Sequence, residues 1–598
     1  MRCNLIFLLV WIYQVIGETK VADFDGRVCA FADFDSDRNT DILMVRNGNL
    51  TISLQETKLW EVLEPLKFVN STSWKIGDPK EDNLVECATG DFDGDSRIDV
   101  LVSIRRGNNQ YKHTLYISRI SNGIEEFDAL EIDEILAEPA MSIDINSDGF
   151  SDIVGFLPNG SLYCSSVDVT GMILTDCSKS FNSFPIKLTN YEGMPHLFVD
   201  INGDLRADIV FMTKDSDGSL VMRVFQQQKI GWVEKTWIPK LSIAQYAFVG
   251  APIPMDYDGD GMIDLLVPIC RELACTHVTS LASYSFTKGW SNVAIDMQEL
   301  EIIRADPYSR VLFRVGDYFA NGFPDLLTVV YSSNIENKTR TKSVKLIQNT
   351  ECKNCEKNGT RKFEFSNLEL VQTGGMAIGS IDMAVFFDLL EDGKLDLLVE
   401  YKNVKHNGSS IGFMVNKNEF DTTFLKVQIF NGVCNVNCDD RTKDLGPGST
   451  VTLSGSCGSF SMSDGWGGSS QSIQCQTPST SYRTLNLPYL FFGLGRSPNF
   501  VDELNMGIPK YKDMKSQWFN SLKQIVPNSR IMVQPTESGH WLSRLYVTPS
   551  QLILQSILVI TSVCGILLMV ALFLHYREKK EDRYERQQQS HQFHFDAM

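Results

Sequence analysis

The chain has 598 residues, of which 43% are hydrophobic and 22% are charged, and its formal net charge is −19 at pH 7. This length is ample for several hydrophobic cores. Because the charge is acidic and basic residues cluster only in the C-terminal tail, nucleic acid is excluded as a partner.

The first residues have the pattern of a secretory signal peptide. Arg2 precedes an apolar run from Leu5 to Val10, and the small residue Gly17 provides a cleavage point. We therefore predict that residues 1–17 are removed and that the mature protein follows the secretory pathway.

Seven copies of one acidic phrase come next, and their spacing marks a repeated structural unit. Successive copies begin 58, 53, 56, 56, 61 and 71 residues apart. An apolar run rich in β-branched residues follows each copy, and several runs reach a hairpin turn such as Asn47-Gly48 or Asn159-Gly160, where both central residues need positive φ. The phrases are therefore predicted to join β-strands.

Repeated four-stranded units are most simply closed into a ring, because closure leaves only short sheet edges. The predicted fold is all-β, with a seven-bladed β-propeller over residues 18–423. An open solenoid is the alternative, but β-helix repeats are far shorter than this period.

Five copies carry the oxygen pattern of a calcium loop. Side-chain oxygens at positions 1, 3 and 5, the backbone carbonyl of position 7 and the Asp at position 9 can converge on one hard cation. No His or Cys enters these loops, which favours calcium over zinc or copper, and position 12 is never the Glu of an EF-hand. The predicted ligands of structural Ca²⁺ are Asp33, Asp35, Asp37, Asn39 and Asp41; Asp91, Asp93, Asp95, Arg97 and Asp99; Asp144, Asn146, Asp148, Phe150 and Asp152; Asp200, Asn202, Asp204, Arg206 and Asp208; and Asp256, Asp258, Asp260, Met262 and Asp264.

The last two copies, Asp317 to Asp325 and Asp388 to Asp396, are looser. They have Phe319 and Leu390 where the third-position oxygen is needed. Loss of the metal with retention of the turn, and weak metal binding, both remain open for these two loops.

The acidic loop between hydrophobic strands resembles the FG-GAP repeat of the integrin α-subunit head. This resemblance implies a calcium-bearing propeller that works outside the cell in adhesion or ligand binding.

Twelve cysteines remain once Cys3 in the signal and Cys564 near the C-terminus are set aside, and an even number suits a disulfide-bonded ectodomain. Proximity in the chain predicts the pairs Cys164/Cys177, Cys270/Cys275, Cys352/Cys355, Cys434/Cys438 and Cys457/Cys475, which leaves Cys29/Cys87. For Cys352, Cys355, Cys434 and Cys438, zinc binding is the alternative to disulfide bonding.

Six sequons for N-glycosylation lie between the signal and the C-terminal apolar run, and none lies in the tail. This distribution predicts a glycosylated ectodomain. The sequons are at Asn49, Asn70, Asn159, Asn337, Asn358 and Asn407.

Residues 424–546 lack the acidic phrase and are predicted to form a membrane-proximal β-sandwich. Alternating apolar and polar residues, as in Leu425 to Ile429, read as strands between Gly-rich turns. The phrases Gly446 to Leu453 and Leu490 to Gly495 resemble the module that follows FG-GAP-type propellers in several extracellular proteins.

Leu552 to Leu574 is apolar and long enough to cross a bilayer, so a transmembrane helix is predicted over residues 552–575. Basic residues follow at Arg577, Lys579 and Lys580, which predicts that the tail, residues 576–598, is cytoplasmic. The chain is therefore predicted to be a single-pass type I protein of the plasma membrane.

The order of signal, propeller, sandwich, span and short tail, together with the tail sequence His591 to Met598, closely resembles the T-cell immunomodulatory protein family, also called linkin. The resemblance implies modulation of T-cell function and cell–cell attachment. It also implies tail-side partners, namely RuvB-like AAA ATPases and tubulin.

The sequence predicts a receptor for an extracellular protein of unknown identity, not an enzyme. The Gly-x-Ser-x-Gly and His-Glu-x-x-His motifs are absent. A carbohydrate-binding receptor and a propeller-based hydrolase are the alternatives. The ectodomain histidines are expected to lack carboxylate partners, and they are His113, His196, His277, His406 and His540.

Overall fold

The computed structural model describes residues 24–595 except for the stretches 57–66, 108–109, 122–123, 169–172, 182–185, 229–230, 243–247, 296–300, 305, 335–338, 353–360, 367–377, 404–407, 418–421, 435–449, 464–467, 478–480, 497–499, 510–517, 537–539 and 548–550. The predicted signal peptide and the sequons at Asn337, Asn358 and Asn407 lie outside the described residues. Asn70 and Asn159 are exposed, and Asn49 is half-buried.

The prediction of an all-β chain with one C-terminal apolar helix is confirmed. Strands β1 to β30 form seven groups with four strand positions each, and we call these groups sheets 1 to 7. Sheet 1 contains β2 (Arg27–Ala32), β3 (Asp41–Arg46), β4 (Asn49–Glu56) and β5 (Lys67–Lys75); sheet 2 contains β6 (Val85–Gly90), β7 (Asp99–Gly107), β8 (Gln110–Ser121) and β9 (Ile124–Leu136); sheet 3 contains β10 (Met141–Ile143), β11 (Asp152–Phe156), β12 (Leu162–Val167) and β13 (Leu174–Asp176); and sheet 4 contains β14 (Leu197–Val199), β15 (Asp208–Lys214), β16 (Leu220–Gln228) and β17 (Gly231–Lys235).

In sheets 5 and 6 the first strand is split into two short strands, both of which pair with the second strand. The last strands of these two sheets also pair with each other over a short parallel stretch. Two 3₁₀ helices, Pro79–Leu84 and Ser178–Ser180, lie in connections. Sheet 5 contains β18 (Phe248–Val249), β19 (Ile253–Met255), β20 (Asp264–Cys270), β21 (Val278–Ser285) and β22 (Gly289–Ile295); sheet 6 contains β23 (Glu301–Ile302), β24 (Arg314–Gly316), β25 (Asp325–Asn334), β26 (Thr339–Glu351) and β27 (Arg361–Phe365); and sheet 7 contains β28 (Ile378–Phe387), β29 (Asp396–Asn403), β30 (Ser409–Met414) and β1 (Phe24–Asp25).

Neighbouring sheets share buried apolar cores, and the series of shared cores returns to its start. Sheets 1 and 2 share one core, sheets 2 and 3 another, sheets 3, 4 and 5 a third, sheets 5 and 6 a fourth, and sheets 6 and 7 a fifth. A sixth core joins sheet 7 to sheet 1, where Phe31 packs against Phe387. The first strand of the chain also completes the last sheet, because Phe24 in β1 pairs with Ile411 in β30.

Residues after 422 form two further four-stranded sheets around a separate core, and we call them the second β region. One sheet contains β31 (Thr423–Ile429), β34 (Leu490–Gly495), β37 (Ser529–Pro535) and β38 (Trp541–Val547), and the other contains β32 (Cys457–Ser463), β33 (Ser469–Cys475), β35 (Val501–Gly507) and β36 (Phe519–Ile525). Residues up to Tyr546 belong to one compact unit.

The remaining unit, Val547–Met598, contains helix α1 (Gln551–Phe595). One part of this helix is long and apolar enough to cross a membrane. Large apolar side chains along it, such as Leu568 and Met569, are exposed, as expected for a helix whose solvent is lipid.

Four predicted disulfides are confirmed: Cys29–Cys87, Cys164–Cys177, Cys270–Cys275 and Cys457–Cys475. Cys352 and Cys434 are also disulfide-bonded, so neither offers a thiolate for zinc. Their predicted partners, Cys355 and Cys438, lie outside the described residues.

The Cys29–Cys87 disulfide links the first strands of sheets 1 and 2 across 58 residues. Replacing both residues with Ala should lower the free energy of unfolding by about 4 kcal/mol, because the bond restricts a long loop in the unfolded chain. The matched control, Cys270→Ala with Cys275→Ala, opens a loop of only 5 residues and should cost about 2 kcal/mol. Denaturant unfolding of the secreted ectodomain measures both, and equal losses would contradict the loop-length argument.

Candidate metal centres

Each acidic phrase forms the loop between the first and second strands of one of sheets 1 to 7, and we call these acidic loops 1 to 7. The Asp at position 9 is the first residue of the second strand in every sheet, as Asp41 is in β3 and Asp99 is in β7. The repeated spacing in the sequence therefore reflects a repeated place in the fold.

The seven loops share one backbone conformation. Positions 4 and 6 have left-handed φ in every copy, the two looser copies included. Non-glycine residues such as Leu205 and Ala320 are strained there, so the surrounding contacts must hold the conformation. The φ values at position 4 are 64° (Ser36), 82° (Gly94), 66° (Ser147), 78° (Gly203), 75° (Gly259), 48° (Ala320) and 50° (Glu391), and those at position 6 are 75° (Arg38), 64° (Ser96), 91° (Gly149), 61° (Leu205), 77° (Gly261), 89° (Gly322) and 78° (Gly393).

The carboxylates at positions 1 and 9 hold this turn through backbone hydrogen bonds. In loop 2, Asp91 accepts from the N–H groups of Gly94 (2.7 Å) and Ser96 (3.0 Å). Asp99 accepts from the N–H of Phe92 (2.9 Å) and from that of Ser118 in β8 (2.8 Å). These two carboxylates therefore fix the loop before any ion is considered.

The residues predicted at position 7 help to shape the turn. The backbone N–H of each donates to the side chain at position 5, so their carbonyl groups lie in a tight, fixed turn. The five donor and acceptor pairs are Asn39 to Asp37, Arg97 to Asp95, Phe150 to Asp148, Arg206 to Asp204 and Met262 to Asp260.

Carboxylate oxygens converge in three of the loops to within 4.8 Å of one another. The groups are Asp33, Asp35 and Asp37 in loop 1; Asp91, Asp93 and Asp99 in loop 2; and Asp256, Asp258, Asp260 and Asp264 in loop 5. In loops 3 and 4 an Asn replaces the Asp at position 3, so fewer carboxylates are available.

Burial and neighbouring carboxylates raise the pKa of these groups. Burial, followed by the charges of Asp258 and Asp260, raises the pKa of Asp264 to about 8. Burial raises the pKa of Asp41 to about 8, and burial with the nearby Asp200 raises that of Asp208 to about 8. A carboxylate that is hard to ionise beside like charges is one that a divalent cation would stabilise.

Several buried oxygens in loops 1, 2 and 5 remain without a hydrogen-bond donor among the described residues. They are Asp33 Oδ1, Asp93 Oδ1, Asp258 Oδ1 and both carboxylate oxygens of Asp264. In loop 7 both oxygens of Asp388 also lack a donor, but there the Lys426 ammonium lies 3.8 Å away. The Ser285 hydroxyl lies near enough to lower the pKa of Asp264 slightly, but no donor reaches it with ordinary hydrogen-bond geometry. The oxygen-only donor set and these unsatisfied atoms fit a hard cation such as Ca²⁺.

Basic side chains compensate part of this charge. Arg119 in β8 lies 2.6 Å from Asp93, and Lys288 contacts both Asp258 and Asp260 in loop 5. Sequence analysis missed these partners because they lie 26 to 30 residues away along the chain, where no local pattern marks them.

Loop 7 differs because a lysine of the second β region enters it. The Lys426 ammonium lies 2.5 Å from Glu391 and 3.8 Å from Asp388, and all three side chains are almost fully buried. Arg530 contacts Glu391 as well. Burial lowers the pKa of Lys426 to about 8, although Asp388 opposes the shift. An ammonium group thus occupies one of the two loops that lack the third-position oxygen.

Loop 6 has fewer charges. Asp317 accepts from the N–H groups of Asn321 and Gly322, and Asp325 accepts from those of Tyr318 and Asn349. Phe319, at position 3, packs into the core shared by sheets 6 and 7. Backbone N–H groups therefore donate hydrogen bonds to both carboxylates of this loop.

The expectation that the ectodomain histidines lack carboxylate partners is wrong for two of them. His196 Nε2 lies 2.9 Å from Glu138, and His277 Nδ1 lies 3.2 Å from Glu272. His196 Nδ1 accepts the N–H of Met212, so both nitrogens of this buried ring are engaged within the fold.

Comparisons with known proteins give full-length relatives. The chain is 53% identical to the protein named linkin from Caenorhabditis elegans over 603 residues, which is 99% of each chain. It is 26% identical to the human T-cell immunomodulatory protein over 614 residues, covering 98% of this chain and 95% of the other. A family model described as "ITFG1, C2 domain" matches residues 448–546.

Similar solved structures include the BP39L lectin from Burkholderia pseudomallei, with a TM-score of 0.37, 11% identity, and coverage of 67% of this chain and 98% of the other. The exotype rhamnogalacturonan lyase YesX gives a TM-score of 0.34, 10% identity, and coverage of 65% and 72%. These likenesses are too weak to carry an argument.

The raised carboxyl pKa values make stability depend on pH when calcium is chelated. A group with a raised pKa binds its proton more strongly in the folded state, so its contribution is present at low pH and is lost as pH rises through the folded pKa. Chelated ectodomain should therefore lose stability between pH 5 and pH 8, by at least about 1.4 kcal/mol, the equivalent of one pKa unit on one carboxyl group. Denaturant unfolding across this range measures the change, and stability that rises with pH would contradict it.

Proposed function

Because the chain belongs to the T-cell immunomodulatory protein (linkin) family, we propose that it is a single-pass type I glycoprotein of the plasma membrane that binds a protein partner in cell–cell adhesion or receptor signalling. The names of its relatives, the C-terminal apolar helix and the disulfide-bonded ectodomain support this proposal. Modulation of T-cell function is the role that the relatives' name suggests.

We propose that sheets 1 to 7 are the blades of an FG-GAP-like β-propeller over residues 18–423. The closed series of shared cores carries this proposal, because sheet 7 packs against sheet 1 and is completed by the first strand of the chain. Such closure leaves no long free sheet edge on a surface protein. The second β region would then be a β-sandwich over residues 424–546.

Structural calcium in acidic loops 1 to 5 is the next part of the proposal. In loops 1, 2 and 5 the ion would neutralise carboxylates whose oxygens lie within 4.8 Å of one another, and in loops 3 and 4 an Asn would supply the third-position oxygen. Loop 7 would not need it, because Lys426 supplies positive charge there. Calcium would stabilise the ring and take no part in catalysis.

A binding role suits the described residues better than catalysis. A cavity of about 170 Å³ is lined by first strands of sheets 3 to 7 and by residues within 473–477 and 484–491. His196 lines this cavity, but Glu138 and the backbone N–H of Met212 engage both of its ring nitrogens, so it is not placed as a general base for a molecule in the cavity.

The tail is proposed to recruit cytoplasmic proteins. Its basic residues, among them Arg577, Lys579 and Lys580, are exposed on α1. The family resemblance suggests RuvB-like AAA ATPases and tubulin as partners.

Calcium binding is tested by paired variants in loops 5 and 7. Calcium should raise the melting temperature of the ectodomain, and a site with a dissociation constant of about 10⁻⁴ M adds about 1.4 kcal/mol at millimolar calcium. Asp258→Asn with Asp260→Asn should reduce this calcium-dependent shift. Asp392→Asn in loop 7 is the matched control and should leave it unchanged. Calcium that shifts no melting curve would contradict structural binding.

The receptor proposal is tested with labelled ectodomain on intact cells. Binding should disappear after the target cells are treated with protease and persist after glycosidase treatment, because the proposed partner is a protein. The reverse pattern would favour a carbohydrate-binding receptor. Turnover of a lipid or sugar substrate by the ectodomain would favour a hydrolase.

Topology is tested with epitope tags on the full chain. A tag after Met598 should be protected from protease added to intact cells, whereas a tag after residue 18 should be digested. The opposite result would overturn the type I orientation.

A further inference from the structure

A short segment of the second β region, Ser481 to Leu485, lies among the first strands of sheets 1 to 7. Ser481, Tyr482, Arg483 and Leu485 are buried. Their φ values of 90°, 55°, 55° and 54° are all left-handed, which is costly for residues with side chains. The segment must therefore be held by contacts with its surroundings.

Arg483 joins three sheets. Its Nη2 atom donates to both carboxylate oxygens of Glu400 (2.9 and 2.8 Å) and to the carbonyl of Val28 (2.9 Å). Its own carbonyl accepts from Arg314 Nη2 at 3.0 Å. These partners lie in sheets 7, 1 and 6.

Tyr482 contacts two further sheets. Its N–H donates to Glu86 in sheet 2 (2.6 Å), and its ring packs against Ala251, which precedes β19 of sheet 5. Burial and the nearby carboxylate of Glu138, ahead of sheet 3, raise its pKa well above the usual value, while the backbone N–H of Gly193, ahead of sheet 4, opposes the shift. Two consecutive residues thus contact strands or strand entrances of sheets 1, 2, 5, 6 and 7.

The charges around the segment depend on Arg483. Glu400 is almost fully buried, and its other basic neighbour, Arg27, lies 3.8 Å away. Burial and the charge of Arg483 lower the pKa of Arg27 to about 10. Removing Arg483 would leave Glu400 as a buried carboxylate without the guanidinium that contacts both of its oxygens, which is strongly unfavourable.

A second and independent observation concerns the acidic loops. Position 6, the outermost left-handed residue, contacts the second β region in loop after loop. Arg38 donates to the Tyr546 hydroxyl (2.7 Å), the Ser96 carbonyl accepts from Thr450, and Phe424 fills the space beside Gly393.

Position 6 also contacts the second β region in loops 4, 5 and 6. The Leu205 carbonyl leaves no room for a side chain at Gly507, Gly261 packs against Gln471, and Gly322 lies against the Gly493 carbonyl. In loop 3, Gly149 lines a small cavity together with Val451. The second β region therefore covers the end of the sheets at which the acidic loops lie.

We propose that the second β region is a fixed cap on the acidic-loop end of the seven sheets and that Tyr482 and Arg483 are the plug that closes their axis. The loop end is then an internal interface. An extracellular partner of the sheets must bind at the opposite end or on the outer edges. This inference rests on the ring arrangement proposed above, but it requires neither calcium nor any particular partner.

The test is amide hydrogen exchange of the secreted ectodomain in calcium. Arg483→Ala should speed exchange by about tenfold or more in β2, β6 and β29 and also in the second β region, because the plug holds them as one unit. Arg496→Ala, which removes an exposed arginine of the same region, is the matched control and should leave exchange unchanged. Faster exchange confined to residues 481–485 would overturn the proposal.

A second variant, Arg483→Lys, keeps the test valid if Arg483→Ala does not fold. If Arg483→Ala is not secreted while Arg496→Ala is, exchange is measured on Arg483→Lys. This variant keeps the charge, but the lysine side chain is one bond shorter, so its ammonium falls short of the Nη2 position that contacts both Glu400 and Val28. Exchange should again rise in both the sheets and the second β region. Wild-type exchange in Arg483→Lys would overturn the plug, whereas loss of calcium-dependent melting alone would count against the calcium proposal and leave the plug standing.

Discussion

Burial of carboxylates at the ends of strands is the constraint on which the rest of this structure depends. Seven times the chain places an Asp at the end of a first strand and another at the start of a second strand, both largely removed from water. Backbone N–H groups meet most of their oxygens, and left-handed residues at positions 4 and 6 turn those N–H groups inward. The carboxylates at positions 3 and 5 then need cations, which basic side chains supply in part.

The same physical problem recurs at the axis of the sheets. Glu400 and Glu86 are buried where seven first strands converge, and the second β region provides the arginine and the backbone N–H that meet them. Lys426 does the same in loop 7. Positive charge and hydrogen-bond donors from residues after 422 thus satisfy acidic groups before 423, which explains why both parts belong to one compact unit.

The sequence predicted the features that local chemistry determines. The spacing of the acidic phrases located seven strand–loop–strand units, and Asn47-Gly48 forms the expected turn with φ of 51° and 75°. At Asn159-Gly160 only Gly160 has positive φ, so that turn prediction is half wrong. Proximity was enough for the disulfide of Cys164 with Cys177.

Contacts between distant residues could not be predicted in this way. Lys426 lies 35 residues from Glu391, and Arg483 lies 83 residues from Glu400 and 455 from Val28. A lone Lys in an alternating strand and a Tyr-Arg pair in a loop look like ordinary surface residues until the fold buries them. Glu138 escaped notice as the partner of His196 for the same reason.

The calcium content of the ectodomain tests this account most directly. Native mass spectrometry of the secreted protein, titrated from chelator to millimolar calcium, counts the bound ions. The account predicts five calcium ions, because loops 1 to 5 have the full set of oxygen ligands and Lys426 occupies loop 7. Binding of no calcium would contradict the claim that buried carboxylates in these loops are matched by a divalent cation.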